Sequence, residues 1–407
     1  MKIGVDLRVL QIGHQFRGIG EVTKRSLNEI FKLAVDDKDS VEFVFYQYED
    51  KINPLEYLEL PDNLEYEIVK LGVRPQPNVE RSISDKITTK LNTLYWNPIK
   101  QSGKSDVFLQ FDFALGVPKN TKTILIKHDI IPYIFWNDYF VSPLLHVKHK
   151  AARTALRTAL HNYEYKRVLK RSVKNATKII CVSEHTKRDL HNYLKVPLNR
   201  MAVIYWGVSE EPLKLSQSVN LKTYPNKPYL LFVGAVDARR RAIDDLVAAF
   251  NNLKANGRDI QLVLAGENFQ SPQKIPNDTV RRAVLSSSYT EDILTLGYID
   301  DPTKQKLYKE ALAFVFPTIY EGFGIPVLEA MLIGCPVIVY KNSSIPEVGG
   351  KYALYANSWE DIQSKVEYLL NLSQLEKEEL IECAKSHAQH FNWSKTGRKL
   401  YKELKSA

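Results

Sequence analysis

The chain has 407 residues, more than one ordinary hydrophobic core accommodates, and so implies two domains. Apolar residues at 44% and charged residues at 25%, with sparse Gly and Pro, exclude a disordered chain. The net charge is +9, and no window approaches the roughly 20 apolar residues that a membrane-spanning helix needs.

The chain opens on a strand at residues 2–6. No long apolar stretch follows the early lysine, so this start does not read as a signal peptide. Further strands are expected at 42–46, 65–70, 107–111, 123–128, 178–183 and 201–204. Helical periodicity falls between them at 20–32, 82–94, 142–175 and 184–193. Such alternation implies an open parallel sheet covered on both faces. The pattern breaks at 207–227, rich in Pro, Ser and Lys, with the linker placed at 209–227. It restarts with strands at 229–234, 261–265, 293–296, 311–317 and 337–340. Helices are expected at 244–256, 302–310, from 327 onward, 359–372 and 374–390. The tail 392–406 looks amphipathic. The expected domains are therefore 1–208 and 228–391, both doubly wound α/β units.

Between His146 and Lys178 stand ten Lys or Arg against one acid, Glu164, at spacings that share helical faces. A solvated helix surface explains such a run. So does docking to an anionic membrane face or to a pyrophosphate-linked acceptor. Nucleic acid ranks below these, since no DNA- or RNA-binding motif accompanies the charge. Cys181, Cys335 and Cys383 are odd in number and far apart. They read as reduced, buried thiols of a cytoplasmic protein.

The most informative string is Glu321-Gly-Phe-Gly-Ile-Pro-Val-Leu-Glu329, between an apolar strand and a new helix. Gly322 and Gly324 let backbone approach a ligand, and the helix start presents N–H groups. Carboxylates on either side suit a ligand with phosphates in the middle and hydroxyls at both ends, such as a nucleotide sugar. A helix-start acid that merely complements the macrodipole accounts for Glu329 alone. Gly234-Ala-Val-Asp-Ala-Arg-Arg-Arg241 also follows a strand. Its adjacent guanidiniums suit a diphosphate leaving group, or pair with Asp244 and Asp245. Arg17-Gly-Ile-Gly20 is a weak phosphate-loop signal and lacks the full dinucleotide fingerprint.

The Glu321–Glu329 string, with 330–336 and Ser343-Ser-Ile-Pro-Glu-Val348 after it, resembles the Glu-x7-Glu motif of retaining glycosyltransferases of the GT-B fold, most closely family 4. The resemblance implies two Rossmann-like domains facing across a cleft, with the terminal helix 392–407 crossing back to the first. By resemblance, Glu321 faces the donor sugar and the reacting centre. Phe323 and Gly324 offer backbone N–H groups to the sugar, and Val327 and Leu328 offer theirs to a phosphate. Glu329 holds the ribose hydroxyls. Gly18 and Gly20 resemble the phosphate-side loop of mannosyl and deoxyhexosyl transferases. Lys127-His128-Asp129 matches a His-Asp near the transferred sugar, where His128 donates to a hydroxyl and Asp129 orients the ring. Gly234 precedes the phosphate-binding Arg-Lys pair of the family. The register here is open between Arg240 with Arg241 and Arg239 with Arg240. Gly266 lies where the strand end runs under the base. Tyr298 packs on the base or on its neighbours.

The resemblance thus implies transfer of a hexosyl group, mannose or similar, from a nucleoside diphosphate sugar to a saccharide or lipid-linked acceptor in surface polysaccharide or glycoconjugate synthesis. The expected chemistry is front-face displacement with retention. The expected location is cytoplasmic, peripheral to the inner face of the plasma membrane. No metal or other cofactor is expected to be required, and the Arg17–Gly20 style tilts the donor to GDP-sugar over UDP-sugar. The rivals are a catalytically silent GT-B partner protein and, below it, a GT-B sugar epimerase. The acid pairs Asp36-Asp37, Asp244-Asp245 and Asp300-Asp301 lack an Asp-x-Asp context. Ser183 reads as a helix cap.

Overall fold

In the computed structural model the described residues are 1–11, 18–37, 40–49, 52–73, 105–111, 117–118, 121–140, 152–209, 224–237 and 240–407. The helix expected at 82–94, the start of the one expected at 142–175, and Arg17 and Arg239 lie outside them. The chain divides into two compact units, 1–207 with 393–407, and 208–392.

The first unit is built on strands β1 (Lys2–Asp6), β2 (Glu42–Glu49), β3 (Tyr66–Val73), β4 (Val107–Gln110), β5 (Lys122–Lys127), β6 (Lys178–Cys181) and β7 (Met201–Val203). They form one parallel sheet in the order β3-β2-β1-β4-β5-β6-β7. Phe43, Val44, Phe45 and Tyr46 of β2 are all inaccessible to solvent. Burial without alternation marks a sheet covered on both faces. The helix Gly18–Val35 supplies part of that cover. Its Phe31 ring meets Phe43 and Phe45 edge-on at 5.0 and 5.7 Å.

The second unit has β8 (Tyr229–Val233), β9 (Gln261–Ala265), β10 (Ile293–Gly297), β11 (Ala313–Phe316), β12 (Val337–Tyr340) and β13 (Leu354–Ala356). The order is β10-β9-β8-β11-β12-β13, again all parallel. In each sheet the direction of growth reverses once, between β1 and β4 and between β8 and β11. Ligands of such sheets bind beyond the carboxyl ends of the strands at that reversal.

Several expectations need correction. The first helix begins at Gly18, so Gly18 and Gly20 are helical rather than loop residues. Two short helices, Ile131–Ile134 and Trp136–Tyr139, and the strand β13 carry too few residues for a periodic signal. Cys383 is exposed on the helix Gln374–Ala388, unlike the buried Cys181 and Cys335. Burial pushes the thiols of Cys181 and Cys335 up to about 12, which keeps them protonated. Tyr224, Asn226 and Lys227, placed in the linker, are fastened to the second unit. The Tyr224 hydroxyl donates to Glu310, and the amides of Asn226 and Lys227 donate to Gln261.

The terminal helix Trp393–Ser406 belongs to the first unit. It buries Thr396, Gly397, Leu400 and Leu404. The Tyr401 hydroxyl donates to Asp37 at 2.6 Å, and Thr396 donates to the Tyr205 carbonyl at 2.8 Å. A Cβ on Gly397 would stand 2.4 Å from Glu29 Cβ. Helix propensity alone favours alanine there by about 1 kcal/mol. Overpacking costs about 1–3 kcal/mol, so the packing term decides the sign. We therefore expect Gly397→Ala to lower the melting midpoint in differential scanning calorimetry. A raised midpoint would show that the helix is not seated on Glu29.

Candidate active site

The reversal between β8 and β11 gathers most of the residues singled out from the sequence. Beyond β8 the chain turns through Gly234, and beyond β11 it runs through Thr318 to Glu321. Backbone bonds latch the two segments. Ala242 N–H donates to the Pro317 carbonyl at 2.9 Å, Ile319 N–H donates to the Arg240 carbonyl at 2.6 Å, and Arg241 pairs with Thr318 as an antiparallel bridge.

This latch delivers two guanidiniums to one carboxylate. Arg240 Nη1 lies 3.3 Å from Glu321 Oε2, and Arg241 Nη2 lies 3.4 Å from Oε1. The Glu321 side chain is 14% exposed, so water screens these pairs little. Arg240 Nε also donates to Asp237 at 2.7 Å, and Arg241 Nη1 to the Ala235 carbonyl at 2.8 Å. The Arg241 guanidinium lies 5.0 Å from the centre of the Phe316 ring. Its Nε–H is buried and finds no acceptor among the described residues. Asp245 accepts the Tyr340 hydroxyl at 2.5 Å, and burial together with that carboxylate holds the Tyr340 phenol protonated. Arg240 and Arg241 thus meet at Glu321, and Arg239 lies outside the described residues.

The glycines beside this cluster have steric causes. A Cβ on Gly234 would fall 2.2 Å from Arg241 Nη1, and one on Gly266 would fall 2.1 Å from the Gly234 carbonyl oxygen. Gly266 therefore serves the close approach of two strand ends. Gly324, at φ +116, opens the helix Ile325–Ile333. Val327 and Leu328 of that helix are buried, and the Val327 amide donates to the Gly324 carbonyl at 3.1 Å. Phe323 is buried against Phe391, ring centres 6.2 Å apart. Tyr298 is 79% exposed, which removes packing on its neighbours as the reason for that residue.

Glu329, inside the helix, is paired with Lys304 Nζ at 3.2 Å, and Lys304 also reaches Asp301 at 3.0 Å. Asp300 caps the helix Asp301–Glu310 by accepting from Thr303 N–H at 2.9 Å, and the Thr303 hydroxyl together with that amide lowers its pKa. Asp37 accepts from Tyr401 and pairs with Lys405 at 3.1 Å. The acid pairs set aside in the sequence therefore include capping and packing residues.

In the first unit, His128 and Asp129 follow β5. His128 Nε2 lies 3.0 Å from the Phe111 carbonyl oxygen. A carbonyl only accepts, so Nε2 carries the proton and a neutral ring presents Nδ1 as an acceptor. Asp129 Oδ1 accepts the Ile131 amide at 2.9 Å, starting the next short helix. Ser183 caps the helix Glu184–Leu194. The sequence reading passed over Asp6 and Arg8 at the end of β1. Both are buried, joined at 2.8 Å (Nε to Oδ1) and 2.6 Å (Nη2 to Oδ2). It also passed over Thr318, Asn342 and the roles of Ser343 and Ser344 around Glu321. An Asp-x-Arg at a strand end was the available signal for the first pair.

Residues 111–211 match the model described as glycosyltransferase family 4, and residues 215–387 match that of glycosyl transferases group 1. The chain belongs to the family 4 glycosyltransferases. Among its relatives, O-antigen chain mannosyltransferase B of Escherichia coli is 28% identical over 233 residues, 55% of this chain and 59% of that one. The serotype-specific mannosyltransferase WbdA of Escherichia coli is 23% identical, across 97% of this chain and 47% of its own length. The chain thus spans 59% and 47% of these two relatives. Anabaena HepE in complex with UDP and glucose superposes with TM-score 0.61 at 15% identity, covering 100% of both chains. Sucrose-phosphate synthase from Thermosynechococcus elongatus gives TM-score 0.65 at 18% identity, covering 100% of this chain and 99% of its own. The fold of this glycosyltransferase is GT-B.

The Lys304–Glu329 pair carries a pH signature. Burial disfavours the Lys304 ammonium, but Glu329 and Asp301 outweigh it and raise its pKa above 10.5. A raised lysine stabilises the fold below its unfolded value and loses that contribution as pH climbs through the folded one. At pH 8 we expect Lys304→Met to lower the melting midpoint by about 3 °C. The gap to the wild type should close above pH 10.5. A gap that stays constant into that range would remove the ion pair.

Proposed function

We propose that this chain is a retaining hexosyltransferase that moves mannose or a similar sugar from a nucleoside diphosphate sugar to a saccharide or lipid-linked acceptor. The observation that carries the reading is the convergence of Arg240 and Arg241 on Glu321 beside the glycine-opened helix Ile325–Ile333. Guanidiniums and a helix start favour a diphosphate, and a carboxylate beside them suits the sugar that departs from it. The mannosyltransferase names of the relatives support the sugar class.

In this reading the diphosphate binds Arg240 and Arg241 as its negative charge grows with cleavage of the glycosidic bond. The acceptor hydroxyl attacks the anomeric carbon from the face the leaving phosphate vacates, and its proton passes to that phosphate. Glu321 stabilises the positive charge that develops on the sugar. Glu329 takes the ribose diol with its two acceptor oxygens. No metal enters these steps. Lys166, Lys170 and Lys174, exposed at intervals of four along the helix Ala152–Asn175, support docking to an anionic membrane surface.

The test is transfer from radiolabelled GDP-mannose and from UDP-glucose to lipid-linked and free saccharide acceptors, with GDP and UDP binding read by calorimetry. We expect GDP to bind and GDP-mannose to be consumed with retention. Glu321→Gln should lower kcat about 100-fold or more while nucleotide binding persists. Binding of neither nucleotide would favour a silent partner protein, and a Glu321→Gln variant with unchanged turnover would take Glu321 out of the reaction.

A further inference from the structure

Glu321 is held from the side by Ser343 and Ser344, which follow β12, with Asn342 bonded to Ser343. The Glu321 amide donates to Ser343 Oγ at 2.9 Å. Ser344 is fully buried, and its Oγ stands 2.9 Å from the Glu321 carbonyl oxygen and 2.8 Å from that of Phe323. The Ser343 hydroxyl donates to Asn342 Oδ1 at 3.1 Å, while the Asn342 amide donates to the Thr318 carbonyl at 2.8 Å. The Thr318 hydroxyl lies 3.2 Å from Glu321 Oε1. Backbone N–H and C=O of Glu321 are thus each held by a side chain of a neighbouring segment, and its carboxylate by a hydroxyl of its own segment.

Ser343 does this from φ +47, in the left-handed region that burdens any residue with a Cβ. Lys195, the other non-glycine with positive φ among the described residues, ends the helix Glu184–Leu194, a common use of that conformation. Ser343 ends no helix. Glycine would relieve its strain but would lack the oxygen that accepts the Glu321 amide. The conformation and the hydroxyl together place that oxygen.

We propose that Ser343, assisted by Ser344, is a positioning residue for Glu321, fixing the backbone so that the carboxylate stays between Arg240 and Arg241. Its catalytic consequence rests on the functional reading above, whereas its geometry does not. Ser343→Gly keeps the left-handed backbone accessible and removes the acceptor. Ser344→Ala cuts the tie to the two carbonyls. In either variant we expect kcat to fall about tenfold or more, with the donor KM within about twofold, because displacement of a reacting group is felt in the transition state. Hydrogen exchange at the Glu321 amide should speed up in Ser343→Gly without a fall in the melting midpoint. Wild-type kcat in both variants, or unchanged exchange at Glu321 in Ser343→Gly, overturns the proposal. A wild-type chain that transfers no sugar refutes the functional reading instead, and the exchange measurement then decides the positioning by itself.

Discussion

A carboxylate withdrawn from water has to be met by positive charge or by several hydrogen bonds, and Glu321 is met by both. Its two guanidiniums come from the far side of the β8–β11 reversal, so the segments carrying them must be tied together before the charges can meet. The backbone latch between Arg240–Ala242 and Pro317–Ile319 does this. The steric consequences spread outward. Arg241 occupies the space a Gly234 side chain would need, and the Gly234 carbonyl occupies the space a Gly266 side chain would need. What the sequence displays as separate glycine motifs is one packing problem set by a buried ion pair.

On the proposed function, the same cluster limits how a diphosphate would be received. Arg240 and Arg241 carry two positive charges, and Asp237 and Glu321 carry two negative ones. Two resident acids thus already balance the guanidiniums. A diphosphate gains only what it adds over those acids. It does so by adding bonds where the arginines are under-used, and by meeting the first turn of the helix Ile325–Ile333, whose dipole no acidic side chain of that turn opposes. Arg241, whose Nε–H finds no acceptor among the described residues, offers a diphosphate a donor still to be used. Lys304 treats Glu329 as the arginines treat Glu321, so both acids of the motif are oriented by a cation before any ligand arrives.

Much of this architecture was legible because parallel sheets write themselves as short, uniformly apolar runs. Residues 261–265 and 337–340 stand in the structure with the bounds read from the sequence. Short elements such as Ile131–Ile134 were not legible, since four residues show no period. At the site, Glu321, Arg240 and Arg241 were readable because polar residues at strand ends have no packing reason to be there. Their supports were not. Thr318, Asn342 and Ser344 reach Glu321 and its neighbours through hydrogen bonds across 3 to 24 positions of sequence, and nothing in residue type or spacing marks a hydroxyl as pointing at a given carboxylate or carbonyl. The conformation of Ser343 was equally hidden, because left-handed backbone is signalled by glycine or asparagine and rarely by serine.

The first unit shows the same economy at its own sheet reversal. Asp6 and Arg8 form a two-bond pair at the end of β1, and Gln110 on the adjacent β4 donates to Asp6 at 3.4 Å. Burial opposes the Arg8 charge, yet Asp6 holds its pKa above the ordinary arginine value, so the guanidinium stays charged. Breaking it would leave one charge stranded in the core, whereas the intact pair rigidifies the strand end from which the chain leaves β1. His128 is treated alike: the Phe111 carbonyl, at the end of β4, selects its tautomer.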